Sequence, residues 1–204
     1  MTSAPLTHEK KQHKTMKRYL YNYQTILRFG APVSRHGFRL RCVPCENSCQ
    51  RLLKQSLFLH PSDGVAQATD GWGNPIQYGN RIEPHDSFVF VSLGEAELSP
   101  YRLPDEEPSP LFRLPSKLTA ATASMTQIAQ AFPRSTVQGQ ALALSAWVYQ
   151  HMRYQPGITQ PATTAAEALA LGQGVCQDYA HILLALCRAA HIPARYVNGF
   201  IEGE

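Results

Sequence analysis

The sequence has no long apolar run, few charged residues and no nucleotide-binding glycine loop. No apolar stretch approaches the ~18 residues that a membrane-spanning helix needs, and no apolar segment follows the basic start at 9–18 as in a secretory signal. Charged residues make up only 17% of the 204, and the net charge of +4 is too small to indicate nucleic-acid binding. Gly71 and Gly73 are too close for G-x-G-x-x-G. We therefore expect no membrane span, no nucleic-acid partner and no cofactor.

The cysteines do not form a disulfide framework or a complete metal motif. Five is an odd number in a chain of this length, which favours free thiols and a cytoplasmic location. Three of them form C-x₂-C-x₃-C at Cys42, Cys45 and Cys49. A zinc ion is usually bound by four protein ligands, or by three protein ligands and a water molecule. A fourth ligand would have to be His36 or His60. The sequence favours no metal site, with one core cysteine and two incidental ones.

Two halves of the chain follow different patterns. After a terminus at 1–16 that we expect to be flexible, residues 17–98 alternate apolar and polar positions between turn signals, which predicts an antiparallel β-sandwich. Phe38, Leu40 and Cys42 are predicted to face one side of a strand. The predicted strands cover 19–26, 38–43, 57–59, 75–78 and 87–91. A proline-rich linker is expected at 99–117.

The second half, 118–204, is predicted to be mainly helical. Threonine, serine, glycine and proline mark the helix boundaries. The expected elements are a helix within 119–132, a helix from Ser135 to about Met152 with Leu142, Ala146 and Tyr149 on one face, a short helix capped by Thr163 or Thr164 and ending at Gly172, a helix from Cys176 to before Pro193, and a strand over 194–201.

Cys176 lies at the start of the last predicted helix. The residues predicted to form its buried stripe are Tyr179, Ile182, Leu183, Leu186 and Ala190. A thiol at a helix N-terminus experiences the positive end of the helix dipole, which favours the thiolate, although the neighbouring Asp178 opposes it. The unpaired amides of a helix start can also donate to an oxyanion. A cysteine on an apolar helix face is more often a small hydrophobic residue, as we expect for Cys187.

The motifs around Cys176 decide between these two interpretations. G-x-C-x-D-x-A-H stands at 174–181 and I-P-A-R-Y-V-x-G at 192–199; in the first half, R-L-R-C-V-P stands at 39–44, D-G-W-G-N-P at 70–75 and P-H-D at 84–86. In order and spacing, these closely resemble the bacterial transglutaminase-like family over about 17–201. The resemblance implies an α+β protein, in which an N-terminal antiparallel β-sandwich (17–98) precedes a partial papain-like domain (118–204).

The resemblance also implies a chemistry. Cys176 matches the family nucleophile, which attacks an amide or peptide carbonyl, forms a thioester and passes the acyl group to water or an amine. The triad histidine and aspartate match no residue of this chain, since in the family they follow the 194–201 strand. We therefore expect a truncated chain with little or no triad catalysis. The alternative is a non-catalytic module that binds a peptide or protein.

Five other residues are candidates for supporting roles. Trp147 and Tyr154 are candidates for oxyanion or acyl-site support, and Gly174, Asp178 and His181 for structural support of the motif. His181 lies about 140° around the helix from Cys176, so it is not expected to replace the missing base. The expected partner is a peptide or protein substrate, or a small amide, and the oligomeric state stays open.

Overall fold

The computed structural model describes residues 16–100 and 109–201. The chain divides into two compact units: Met1–Pro104 with Gly199–Glu204, called the β unit, and Asp105–Asn198, called the helical unit. The predicted flexible terminus, apart from residue 16, lies outside the described residues, as do 101–108 of the predicted linker and 202–204. Those parts of the domain prediction stay predictions.

In the described part of the β unit, six strands form two three-stranded sheets. One sheet has the order β1-β6-β3 and the other β2-β5-β4, with every pair antiparallel. The expected antiparallel β-sandwich is confirmed. The strands are β1 Lys17–Val33, β2 His36–Leu40, β3 Gln50–His60, β4 Gly64–Thr69, β5 Pro75–Arg81 and β6 His85–Leu98.

The central strand β6 shows how alternation in sequence builds this core. Phe88, Phe90 and Ser92 are buried at every second position. The ring of Phe88 packs on Phe38 of the other sheet, with centroids 4.9 Å apart, and Cys42 is buried in the same cluster. The two sheets therefore share one apolar core. Strand β4 was not predicted, because all six of its residues are exposed and the strand lacks a buried face.

A pair of histidines lies against the same core. His36 Nδ1 and His85 Nε2 are 3.0 Å apart, and the rings of Phe29 and Phe88 contact His36 edge-on. His85 Nδ1 is also 3.0 Å from the carbonyl oxygen of Glu83, to which it must donate. His36 therefore donates to His85. Burial, and then the neighbouring His85, lower the pKa of His36.

Within residues 109–198, the helical unit contains four α-helices and two very short strands. Side-chain oxygens of Thr122, Thr136 and Thr164 cap α1, α2 and α3 by accepting from backbone amides in the first turn. Thr164 also forms a capping box with Glu167. After a 3-10 turn at Pro110–Arg113, the elements are α1 Ala123–Gln130, α2 Val137–His151, β7 Arg153–Tyr154, α3 Ala165–Leu171, β8 Gln173–Gly174 and α4 Cys176–Ala189.

The residues expected on one face of α2, which are Leu142, Ala146 and Tyr149, lie on its exposed face. Leu142 and Tyr149 are 63% and 78% exposed, whereas Leu144 and Val148 are buried against the other helices. An alanine-rich helix such as α2 carries apolar residues on more than one side, so periodicity alone does not say which side meets the core. Helix α2 begins after Thr136, one residue later than the Ser135 cap predicted from the sequence.

The predicted stripe of α4 is correct only in part. Ile182 and Leu186 are fully buried, but so are Asp178 and Ala185, because α1, α2 and α3 all pack on α4. A helix with neighbours on several sides buries more than one stripe. The remaining predicted members, Tyr179, Leu183 and Ala190, are partly buried around the same cluster.

The segment predicted as a strand over 194–201 is irregular in the structure. It pairs with no strand among the described residues, and a strand needs a hydrogen-bonded neighbour. In the part of the chain that the structure describes, no helix has the length and apolar character needed to cross a membrane.

Arg188 of α4 joins two segments that lie far apart in sequence. Its guanidinium donates to the carbonyl oxygen of Phe112 at 3.1 Å, to Thr119 Oγ1 at 2.5 Å and to the carbonyl oxygen of Ala194 at 2.9 Å. Burial lowers the pKa of Arg188. The chain before α1 is therefore an integral part of the helical unit, together with the chain that follows α4.

Candidate active site

Cys176 is the first residue of α4, and its side chain is exposed. The preceding helix α3 ends at Gly172, whose φ of 63° is a conformation that favours glycine. Only the two residues of β8 and Val175 separate that turn from the cysteine. The sequence thus places a free thiol directly at a helix start.

A two-stranded parallel ladder fixes the chain just before this thiol. Strand β7 pairs with β8, so that Tyr154 lies opposite Gly174. The amide of Arg153 donates to the carbonyl oxygen of Gly172, and the amide of Gln155 donates to that of Gly174, both at 2.9 Å. The ladder brings Tyr154, predicted as a support residue, beside the residue two positions before Cys176.

The buried side chain of Asp178 stabilises the first turn of α4 by hydrogen bonds. The residue is 1% exposed, and its Oδ2 accepts from the Val175 amide and from Thr159 Oγ1, both at 2.7 Å. The Val175 bond is one half of a capping box. Gly174 makes room for the carboxylate, because a Cβ there would come within 2.8 Å of the Asp178 Cβ and Cγ atoms.

His181 is buried on another side of α4. Burial lowers its pKa, although the charge of Asp178 and a hydrogen bond to the backbone of Thr163 act in the opposite direction. Its ring lies 5.7 Å from that of Tyr196. Burial, and then the charge of Cys176, raise the pKa of Tyr196. The Tyr196 ring therefore contacts His181, and a negative charge on the Cys176 sulfur would raise the pKa of Tyr196.

Trp147 and Cys187 have partners inside the helical unit. Trp147 stacks on His151 of its own helix with ring centroids 4.0 Å apart, and it packs against the helical core. The predicted oxyanion role of Trp147 stays a prediction. Burial raises the pKa of the Cys187 thiol to about 11, so this cysteine is neutral at physiological pH.

Family models match both units of the chain. The bacterial transglutaminase-like N-terminal region matches residues 19–97, and the transglutaminase-like superfamily core matches residues 126–204. The chain belongs to the bacterial transglutaminase-like family. The match to the core includes the whole segment from α2 through Cys176 to the chain's last residue.

Mycobacterial proteins are among the relatives of this chain. The chain is 24% identical to an uncharacterized protein of Mycobacterium leprae, over 85% of this chain and 67% of that protein. It is 25% identical to an uncharacterized protein of Mycobacterium tuberculosis, over 92% of this chain and 67% of that protein. The chain therefore spans about two thirds of the length of these relatives.

A solved structure has the same fold. The crystal structure of a proposed cysteine protease from Cytophaga hutchinsonii superimposes with a TM-score of 0.70 over 88% of this chain and 67% of that chain. At 19% sequence identity, this likeness shows that the two chains share a fold and shows nothing more.

The cysteines of the β unit have other surroundings. Cys42 is buried in the sandwich core, and burial raises its pKa. His36 is hydrogen-bonded to His85, and His60 stacks on Phe58. Within residues 16–100 and 109–201, no group of three or more His, Cys, Asp or Glu side chains is arranged to hold a metal ion.

Three residues around Cys176 were not identified from the sequence. Thr159 bonds Asp178, Gln177 Nε2 donates to the Pro161 carbonyl oxygen at 3.3 Å, and Tyr196 lies near the thiol. Thr159 belongs to an irregular loop, so no periodicity marks it. Gly157, whose φ of 81° favours glycine, indicates a turn near Thr159. A glycine does not indicate that Thr159 bonds to Asp178.

The arrangement combines an exposed thiol with unpaired backbone amides at a helix start. The amides of Cys176 and Gln177 have no acceptor among the described residues, as is usual at a helix start. Such amides can stabilise negative charge on a carbonyl oxygen under attack by the neighbouring sulfur. Among residues 16–100 and 109–201, no side chain is hydrogen-bonded to the exposed Cys176 thiol.

Proposed function

We propose that the protein performs cysteine-dependent acyl chemistry of the transglutaminase-like type, with Cys176 as nucleophile. The observation that carries the proposal is the exposed thiol on the first residue of α4, in a turn held by buried Asp178. The family membership supports it. The substrate is an amide carbonyl of a peptide, a protein or a small molecule, and the chemistry needs no cofactor.

The reaction runs in two steps. In the first, Cys176 Sγ bonds to the carbonyl carbon, the C–N bond breaks, and the amine leaves with a proton. In the second, water or an amine attacks the thioester carbon, the S–C bond breaks and the thiol is regenerated. The family resemblance implies a histidine base oriented by an aspartate. Since no described histidine is bonded to the thiol, we expect the 204 residues alone to cleave amides slowly.

The thiol chemistry also indicates a compartment. All five cysteines are free, and an exposed nucleophilic thiol survives best under reducing conditions. We therefore propose the cytoplasm. We propose no nucleic-acid or membrane partner.

An activated aryl ester tests the nucleophile without the rest of the triad. The nitrophenolate of p-nitrophenyl acetate leaves without being protonated, so no general acid is needed. We expect acetylation of Cys176 faster than that of N-acetylcysteine, with the thioester located by fragment-ion mass spectrometry and discharged by hydroxylamine. Cys176→Ala should abolish the burst of nitrophenolate.

The control is the second cysteine of α4. Cys187→Ala should leave the burst unchanged, because the buried Cys187 thiol is neutral at the pH of the assay. Acetylation spread over several cysteines, or a Cys176 rate no higher than that of N-acetylcysteine, would contradict the nucleophile assignment. Either result would favour a non-catalytic module that binds a peptide or protein.

A further inference from the structure

The loop after β7 is bound to the turn that carries Cys176 at three points. The Gln155 amide donates to the Gly174 carbonyl oxygen at 2.9 Å, and Thr159 Oγ1 donates to Asp178 Oδ2 at 2.7 Å. Gln177 donates to the carbonyl oxygen of Pro161 at 3.3 Å. The three anchoring residues are Gly174, two residues before Cys176, and Gln177 and Asp178, one and two residues after it. The segment over 154–161, which begins at the last residue of β7 and is called the loop below, therefore runs alongside the turn that carries Cys176.

The composition of this loop is unusual for an exposed segment. The residues Tyr-Gln-Pro-Gly-Ile-Thr-Gln-Pro include no charged side chain, and two prolines limit the backbone freedom of the loop. Tyr154 is 61% exposed and Ile158 is 47% exposed. Two exposed apolar side chains thus lie on a segment that is bound to the turn carrying Cys176, and their exposure to water has a free-energy cost that binding of an apolar group would remove.

We propose that residues 154–161 form the wall that receives the acyl group of the substrate, and that the preferred acyl group carries an aromatic or branched aliphatic side chain. Tyr154 and Ile158 contact that side chain. Thr159 is a positioning residue, since it does not contact the substrate and acts by holding the loop on Asp178. The inference rests on Cys176 as the nucleophile of the proposed function.

Thr159 is suited to this positioning role because its partner is buried. Asp178 is almost completely enclosed, so its carboxylate cannot exchange the Thr159 hydroxyl for bulk water without opening the turn. A valine at 159 keeps the shape of threonine and removes the donor, whereas a serine keeps the donor. The pair Thr159→Val and Thr159→Ser therefore separates the hydrogen bond from the packing.

The experiment compares p-nitrophenyl esters that differ only in their acyl group. The acyl groups are acetyl, 3-phenylpropanoyl and the negatively charged succinyl. Rates of thioester formation on Cys176 are divided by the rates with N-acetylcysteine, which removes intrinsic differences between the esters. We expect the phenylpropanoyl-to-acetyl ratio to be about ten, the low end of what a hydrophobic pocket gives, and the succinyl-to-acetyl ratio to be below one.

Variants assign the preference to the loop. Tyr154→Ala and Thr159→Val should bring the phenylpropanoyl ratio close to one, and Thr159→Ser should keep it near the wild-type value. The matched control is Leu142→Ala, an exposed apolar residue of α2 outside the loop, which should keep both the ratio and the acetyl rate.

The outcomes separate the two hypotheses. If acetyl ester fails to acylate Cys176 faster than N-acetylcysteine, the proposed function fails. If acetylation of Cys176 is fast but the wild-type ratio is one, or if Tyr154→Ala keeps the full preference, the wall is refuted and the nucleophile stands. A ratio that Thr159→Val lowers and Thr159→Ser fails to restore contradicts the positioning role.

Discussion

Substituting Gly174 by alanine tests the packing of the turn that carries Cys176. Gly174 is buried, and an added Cβ would lie 2.8 Å from both Cβ and Cγ of Asp178 and even closer to Oδ2. Real Cβ atoms do not come that close, so the carboxylate or the strand must move. Displacing Asp178 weakens its bonds to Val175 and Thr159. We expect a loss of about 1–3 kcal/mol in the free energy of unfolding, the usual cost of overpacking.

Urea denaturation measures this loss in the right part of the molecule. All four α-helices described by the structure lie in the helical unit, so ellipticity at 222 nm reports its unfolding. Leu142→Ala is the control, because this side chain is 63% exposed on α2 of the same unit. We expect it to change the free energy of unfolding by less than about 0.5 kcal/mol.

A double-mutant cycle identifies the clash partner. Asp178→Ala removes the carboxylate, two of whose atoms an alanine at 174 would meet. The single substitution should cost about 1–3 kcal/mol, because it leaves the half-buried Val175 amide without its acceptor. The double variant should cost less than the sum of the two single variants, by about 1 kcal/mol. Strict additivity, or a Gly174→Ala variant as stable as the wild type, would refute the reasoning.

Two further predictions concern other parts of the fold. Arg188→Lys cannot reproduce the three guanidinium bonds, so we expect the helical unit to lose about 1–3 kcal/mol in urea denaturation; an unchanged midpoint would contradict this. The lowered pKa of His36 means that the unfolded chain binds the proton more readily. Stability of the β unit should therefore fall as pH drops through the unfolded-state value of about 6.5. Thermal melts at pH 7.5 and 5.5 should show this fall, and His36→Phe should reduce it.

The local signals in the sequence identified most elements because their causes are local. A threonine cap and a C-terminal glycine satisfy backbone groups within a few residues, so Thr164 and Gly172 marked the two ends of α3. Alternation placed Phe38, Leu40 and Cys42 on one side, and all three contribute to the sandwich core, since side chains of a strand alternate between faces. The exposed strand β4 lacks such a face and was missed.

The sequence does not specify features that depend on packing or pairing with another element. The buried side of α2 depends on where α4 packs, and the segment at 194–201 is irregular because no described strand pairs with it. The hydrogen bond between Thr159 and Asp178 spans nineteen residues of sequence through an irregular loop. No repeat or spacing records such a contact.

The sequence by itself determined the family, the order of the two parts and the position of Cys176 at a helix start, since motif spacing and capping are properties of short segments. Only the tertiary structure decided what surrounds the thiol. The β7–β8 ladder, the buried Asp178 and the loop at 154–161 meet at Cys176 because the chain folds back on itself. Contacts of this kind arise from packing between distant segments, and packing is fixed only when the whole helical core is formed.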